Sequence, residues 1–403
     1  MRLAHALCVF ETDCRLAAEP RYSSFCATQN DTVTMKMLIV GAGVAGLAIG
    51  WRLAQHGADV EILERGIVGR GATWASAGMI APYAEDLHDV DPLSHFARRS
   101  RAEWPGFARD VEEASGQPIF YRESGSLIVA DSWERARALC ARAVASGQRA
   151  TASWLPCDRL RAREPLLSVS VLGGLYLSDD AQVDNRALGE ALCTAAIKAG
   201  VRLRERCEVR SLVRDGGHVR GVITANGPIE ADRIVLACGA WMSRIADLGS
   251  VGPPLVKPVK GQMIACEPPP GLALPQSLIW GADVYLVPRK DALFIGATVE
   301  DANFDTSISR EARDFLLAAA ARLIPSLADW RVTEMWAGLR PRTPDDAPVL
   351  GATATKGLYV ASGQFRNGIL FAPVVADALC RIILDKEIHP GLGAFDPRRF
   401  NIL

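Results

Sequence analysis

The sequence predicts an α/β protein. A discontinuous, Rossmann-like nucleotide-binding domain is interrupted by an inserted α+β domain built on a mixed antiparallel sheet. Three observations predict it. Residues 37–64, MLIVGAGVAGLAIGWRLAQHGADVEILE, read as a strand, a glycine-rich turn, an amphipathic helix and a second strand ending on an acid. Strand-like runs between 201 and 298 are separated by Gly, Pro and Asp turns and not by the helices of a plain βαβ series. Near the C-terminus, Leu358–Ala361 reads as a last parallel strand feeding a loop and a helix.

The first motif carries its own chemistry. Met37–Val40 is a short apolar strand, and Gly41-Ala42-Gly43-Val44-Ala45-Gly46 follows it directly. Gly41 permits the tight turn. Gly43 lets main-chain N–H groups approach a pyrophosphate at the helix N-terminus, where the dipole favours anions. Ala45 stands in the same turn, and Gly46 lets helix and strand pack closely. Gly57 stops the helix. Val60–Leu63 then delivers Glu64, 18 residues after Gly46, to a ribose diol. A bare GxGxxG is weak; strand, helix, second strand and terminal acid together predict dinucleotide binding.

Composition narrows the class. The 403 residues are 49% hydrophobic and 23% charged with a net charge of −1, which makes no electrostatic case for a nucleic acid or an anionic membrane. No apolar run approaches the roughly 18 residues of a membrane span. The ten cysteines form no CxxC pair, and neither they nor the six histidines cluster, so no metal site and a reduced, cytoplasmic setting are expected. Residues 1–34 fall outside the fold pattern, contain Glu11 and Asp13, and make a poor secretory signal. They are expected to be a disordered tail or an upstream start, since Met35-Lys36-Met37 precedes the first strand.

Beyond Glu64 the run from Gly69 to Pro82, GRGATWASAGMIAP, is dominated by small residues that let an extended cofactor lie against the backbone. Helices are expected at 92–116 and 132–147, with strands at 126–130 and 174–177. Asp184 or Asn185 caps a helix ending at Gly200. Strands 201–203, 208–213 and 219–224 form an antiparallel stretch turning at Gly216–Gly217, and 231–238 is a buried strand ending at Gly239-Ala240-Trp241. Past a boundary at Pro253–Pro258, strands 260–266, 284–287 and 293–298 and a helix 309–324 build the second sheet domain. The segment Trp336–Asp345, WAGLRPRTPD, leads back toward the nucleotide domain, and a last helix spans 372–385.

Six stretches taken in order are recognisable: VGAGVAGL with Glu64-Arg65, ATWASAGMIAP, VKPVKGQMI, YLVPR with GATVED, WAGLRPRTPD and GQFRNGILFAP. The chain resembles the FAD-dependent D-amino acid oxidase and sarcosine oxidase superfamily, and within it the glycine oxidases of thiamine biosynthesis. The likeness runs from Met37 to about Asp385; the extension at 1–34 departs from it. It implies an FAD-binding domain at 35–91, 166–250 and 340–403 and a substrate domain at 92–165 and 251–339.

The resemblance implies where FAD lies. Gly41, Gly43, Ala45 and Gly46 cradle the pyrophosphate, and Glu64 with Arg65 holds the adenosine ribose. Thr73, Ser76, Ala77, Gly78 and Met79 run along the ribityl chain toward the isoalloxazine. Val209 meets adenine, and Gly239 and Trp241 approach below the diphosphate. Arg366, Asn367, Gly368 and Ile369 face the pyrimidine edge of the flavin, where a helix N-terminus stabilises negative charge. Residues 340–351 hold no cysteine, so FAD is expected to be non-covalent.

It also implies the chemistry. Tyr285, Arg340 and Arg366 recognise a small amino acid, Arg340 forking onto its carboxylate as lysine could not. Gln364 stands where relatives often carry histidine, and its role stays open. Hydride passes from Cα to flavin N5, and O2 reoxidises the flavin to give H2O2. The imine hydrolyses to a 2-oxo acid and ammonia, or supplies thiazole formation with the thiazole synthase machinery. Members of the family are often homo-oligomers. The rival readings are a D-amino acid or sarcosine oxidase or dehydrogenase, a non-catalytic flavoprotein subunit, and, weakest, a nicotinamide dehydrogenase.

Overall fold

Buried on both faces, the strand Lys36–Val40 lies inside a six-stranded sheet; Met37, Leu38 and Ile39 are fully enclosed. The computed structural model describes residues 35–85, 91–145, 151–246, 248, 255–385 and 390–400. The expected extension, 1–34, lies outside them, as do the first two residues of the expected Pro253–Pro258 boundary.

In the six-stranded sheet the order is Val349–Ala352, Leu358–Ser362, Arg233–Leu236, Lys36–Val40, Asp59–Leu63, Arg202–Arg204. All pairings are parallel except that of Val349–Ala352 with Leu358–Ser362. The N-terminal βαβ, the buried middle strand and the last strand thus meet side by side, as their sequence patterns require. Helices Val44–Gln55, Asn185–Lys198 and Ala372–Asp385 pack together on this side of the molecule. Asp184 caps the second of them, its carboxylate accepting from the N–H groups of Arg186 and Ala187.

The second sheet has eight strands: Arg331–Arg342, Lys257–Glu267, Leu293–Gly296, Tyr285–Pro288, Leu278–Trp280, Ser126–Ala130, Gly173–Leu177 and Ala152–Pro156. It is antiparallel except where Leu278–Trp280 runs parallel to Ser126–Ala130. The mixed α/β architecture is the one expected. No helix among the described residues is long and apolar enough to cross a membrane.

The chain passes between the two layers at other points than the sequence suggested. Helix Pro92–Ser115, assigned to the substrate domain, buries Phe96, Trp104, Phe107 and Val111 in one cluster with Trp51, Leu188 and Phe371 of the nucleotide side. Periodicity announces a buried face but not its partner. Strand Gly173–Leu177, assigned to the nucleotide domain, belongs to the eight-stranded sheet. The segment read as a link, 336–345, is mostly strand: Arg331–Arg342 pairs along its length with Lys257–Glu267, from Glu267↔Arg331 to Lys257↔Arg342. Gly338 and Pro341 break the alternation that would have announced it. The two layers do not separate into independent bodies, and Thr34–Leu403 is one unit.

Candidate active site

A continuous cavity of about 810 Å³ lies between the glycine-rich turn and the eight-stranded sheet. At the turn, Gly41 adopts φ +106 and presses against the Ala237 carbonyl. A Cβ at Gly46 would stand 1.9 Å from the Gly41 oxygen, so Gly46 closes the turn from behind, while Gly41, Gly43 and Ala45 line the cavity. Gly43 is the N-cap of Val44–Gln55 and supplies no side-chain cap, leaving first-turn N–H groups beyond that of Val44 for an incoming anion.

Glu64 ends its strand facing the same space. Its Oε2 accepts from the Ala42 N–H at 2.9 Å and its Oε1 from the Gly66 N–H at 2.8 Å, which fixes the carboxylate while each oxygen keeps a lone pair for a diol. The Arg65 guanidinium lies 3.4 Å over the Trp241 ring, and both side chains line the cavity with Val209 and Gly239.

The small-residue run is tied down from behind. Thr73 Oγ1 accepts from the Val44 N–H at 2.9 Å, joining the run to the helix start. Asn185 Nδ2 donates to the carbonyls of Thr73 and Trp74, each at 2.9 Å, and the Arg289 guanidinium donates to the Ala77 carbonyl. Ser76 donates to the Thr73 carbonyl at 2.9 Å. With its inward groups so engaged, the run presents Thr73, Ser76, Ala77, Gly78 and Met79 to the cavity. Across from it, Arg366, Asn367, Gly368 and Ile369 line the wall before helix Ala372–Asp385. The Phe365 N–H there donates to the Pro341 carbonyl at 2.9 Å. Gln364, buried, also lines the wall.

At the sheet end stand Arg340 and Tyr285. Arg340 Nη1 donates to the main-chain carbonyls of Thr298 at 3.1 Å and Lys260 at 3.4 Å. Nη1 thus holds the guanidinium to the main chain, and the Tyr285 hydroxyl stands within hydrogen-bonding reach of the same side chain. The guanidinium lies flat on Gly261, where a Cβ would come within 2.3 Å of Nη2. Tyr285 rests in the same way on Gly296, and its hydroxyl reaches Met263 Sδ at 3.8 Å. Burial pushes the Tyr285 phenol up, and the nearby Arg340 charge draws it back. The structure therefore brings Tyr285, Arg340 and Arg366 into one cavity with the nucleotide cradle.

Sequence reasoning missed three residues here. Gly261 and Gly296 stand bare because neighbouring strands lay a guanidinium and a phenol over them. Their only signal is a glycine inside a strand pattern. Glu85 also lines the cavity; partial burial pushes its carboxyl up, with Arg366 and then Arg340 pulling it down. It was visible only as the first acid after the small-residue run.

Comparison with known proteins bears on this geometry. The family described as DAO, FAD dependent oxidoreductase, matches residues 36–382. The chain belongs to this family. FAD is the family's cofactor, and the cradle at Gly41–Gly46, the fixed Glu64 carboxylate and the small-residue wall fit it. The chain is 35% identical over 368 residues to a glycine oxidase of Geobacillus kaustophilus, covering 90% of this chain and 96% of that protein. A crystal structure of the glycine oxidase from that organism superposes with a TM-score of 0.84 at 33% identity, covering 91% of this chain and 99% of the other. The chain is also 36% identical over 373 residues to a bifunctional protein ThiO/ThiG of Synechocystis, covering 91% of this chain. It spans only 54% of that larger protein's length. These findings agree with the resemblance carried by the six motifs.

Proposed function

We propose that this family member oxidises a small amino acid, glycine foremost, to its imine, with O2 as electron acceptor and H2O2 as by-product. The observation that carries the reading is the Arg340 guanidinium, fixed through Nη1 by two carbonyls and set beside the Tyr285 hydroxyl in one cavity with the dinucleotide cradle. A carboxylate is the ligand that a fixed, planar guanidinium fork selects. The relatives named glycine oxidase support the choice of substrate, and the ThiO/ThiG relative supports delivery of the imine to thiazole formation. The same reading takes the enzyme to be a cytoplasmic homo-oligomer that holds FAD without a covalent bond.

FAD, when bound, supplies the two-electron acceptor. Gly41, Gly43 and Ala45 would take its pyrophosphate, Glu64 its ribose, and residues 76–79 and 366–369 its ring. The chain's own contribution is orientation. Arg340 grips the acid end of the substrate, and Tyr285 adds a hydroxyl to the same carboxylate. Gly261 and Gly296 keep both groups pressed to the sheet, so that the Cα–H bond is held in one direction. Met263 and Tyr285, in contact with each other, line the cavity beside this grip.

The test is anaerobic bleaching of the yellow protein by glycine, sarcosine and D-alanine, followed by peroxide assay on admitting air. Bleaching by at least one, with peroxide release, is expected; a flavin indifferent to all three would sink the reading. Tyr285→Phe is expected to raise KM for the preferred amine by the equivalent of about 1–3 kcal/mol, a hydrogen bond to a charged group. An unchanged KM would take the hydroxyl out of the site.

A further inference from the structure

The turn that follows the small-residue run is bolted to the fold by a buried acid. Asp180, fully enclosed, accepts from the N–H groups of Tyr83 and Ala84, both at 3.1 Å. The Glu85 N–H closes the turn on the Ala81 carbonyl at 3.2 Å. This anchoring sends the Glu85 side chain to the cavity wall with Tyr285, Arg340 and Arg366.

Among the described residues, those three are the charged and titratable groups that bear on Glu85: two cations and a phenol. Neither cation pairs with it directly among the described contacts. Arg340 commits Nη1 to two carbonyls, and Arg366 lies 5.2 Å over the Phe365 ring. The substrate end of the cavity therefore holds a carboxyl group of its own beside the cation meant for the substrate carboxylate. An amino acid enters as a zwitterion. Its ammonium needs a counter-charge in a space shared with two guanidiniums, and it has no lone pair to assist departure of hydride from Cα until one proton is removed.

We propose that Glu85 receives the substrate's amino group and takes its extra proton before the Cα–H bond breaks. The inference rests on the amino acid oxidase reading above and adds to it the residue that prepares the amine. One N–H bond of the ammonium breaks and one O–H bond forms on the Glu85 carboxylate. No electrons change hands in this step, and the proton passes to solvent as product leaves. Arg340 secures one end of the zwitterion and Glu85 the other. This gives a preference for primary or secondary amines over hydroxy acids of the same size.

Holoenzymes of the wild type, Glu85→Gln and Glu85→Asp test it, with anaerobic flavin reduction by glycine followed from about pH 7 to about pH 10. Glycolate binding, read from its perturbation of the flavin spectrum, serves as an amine-free probe. In Glu85→Gln we expect unchanged FAD content, glycolate affinity within about twofold, and flavin reduction slowed about 100-fold at the low end of the range. The deficit closes as pH rises, because the solution then supplies neutral amine. Glu85→Asp recovers part of the loss. A deficit of equal size at every pH, a parallel loss of glycolate binding, or no deficit at all overturns the assignment. Wild-type flavin that none of glycine, sarcosine and D-alanine reduces at any pH overturns the parent reading and this one together. Reduced wild type beside an equally fast Glu85→Gln variant overturns only this one.

Discussion

Arg340→Ala is expected to purify yellow and folded yet lose about 2–5 kcal/mol of interaction with an amino acid substrate, the usual cost of opening a desolvated charge pair. That is a fall in kcat/KM of about 30-fold to about 5,000-fold. The side chain is held from outside the core, by the Lys260 carbonyl on the neighbouring strand and the Thr298 carbonyl just past strand Leu293–Gly296, so the fold is expected to survive its loss. Arg340→Lys should recover little, because an ammonium offers no second parallel N–H to the carboxylate. Gly261→Ala should mimic the loss at a distance from any substrate contact, since the new Cβ would stand 2.3 Å from Nη2 and lift the guanidinium off the sheet. Steady-state kinetics with glycine, alongside FAD content, checks all three. Near-wild-type kcat/KM in Arg340→Ala would remove Arg340 from the site.

Gly46→Ala should fail at an earlier stage. Its Cβ would meet the Gly41 oxygen at 1.9 Å, and a backbone carbonyl inside the phosphate turn cannot swing aside as the end of a side chain could. Helix Val44–Gln55 must then move off the sheet, opening the turn that Gly41 and Gly43 form. Overpacking of this kind costs about 1–3 kcal/mol or more. The expected outcome is a lowered Tm and colourless protein that takes up added FAD at least tenfold more weakly, by order of magnitude. Gly239→Ala is the comparison: it lines the same cavity with open space where its Cβ would go, though at φ +52 it carries backbone strain of its own. A Gly46→Ala protein that stays yellow at wild-type Tm would contradict the account of the turn.

These two glycines mark what the sequence could tell. Gly46 was legible because the whole motif is local, and turn, helix and second strand lie within 28 consecutive residues, Met37 to Glu64. Gly261 was not, because its reason is a side chain on another strand, placed by a register that pairs Gly261 with Gly338. Helix Pro92–Ser115 was found, but its stripe of Phe96, Trp104 and Phe107 says only that something covers it, and not that Trp51 and Phe371 do. The short strand Leu278–Trp280 was missed because three residues cannot establish a period. Thr73 and Glu85 show the same division at the site. The run of small residues was evident, but a polar group's engagement with the Val44 N–H or exposure to the cavity depends on tertiary placement.

The strand Arg331–Arg342 has a consequence of its own. Trp336 on it donates from Nε1 to the Ala75 carbonyl at 2.9 Å, Gly338 abuts the Ala75 methyl, and Arg340 follows two residues on. The wall that meets the cofactor and the grip that meets the substrate are therefore carried on one stiff rod. Whatever steadies residues 72–79 also steadies the guanidinium, and reciprocity requires the converse. Flavin-free protein should hold glycolate weakly, and glycolate should tighten FAD binding by the same free energy.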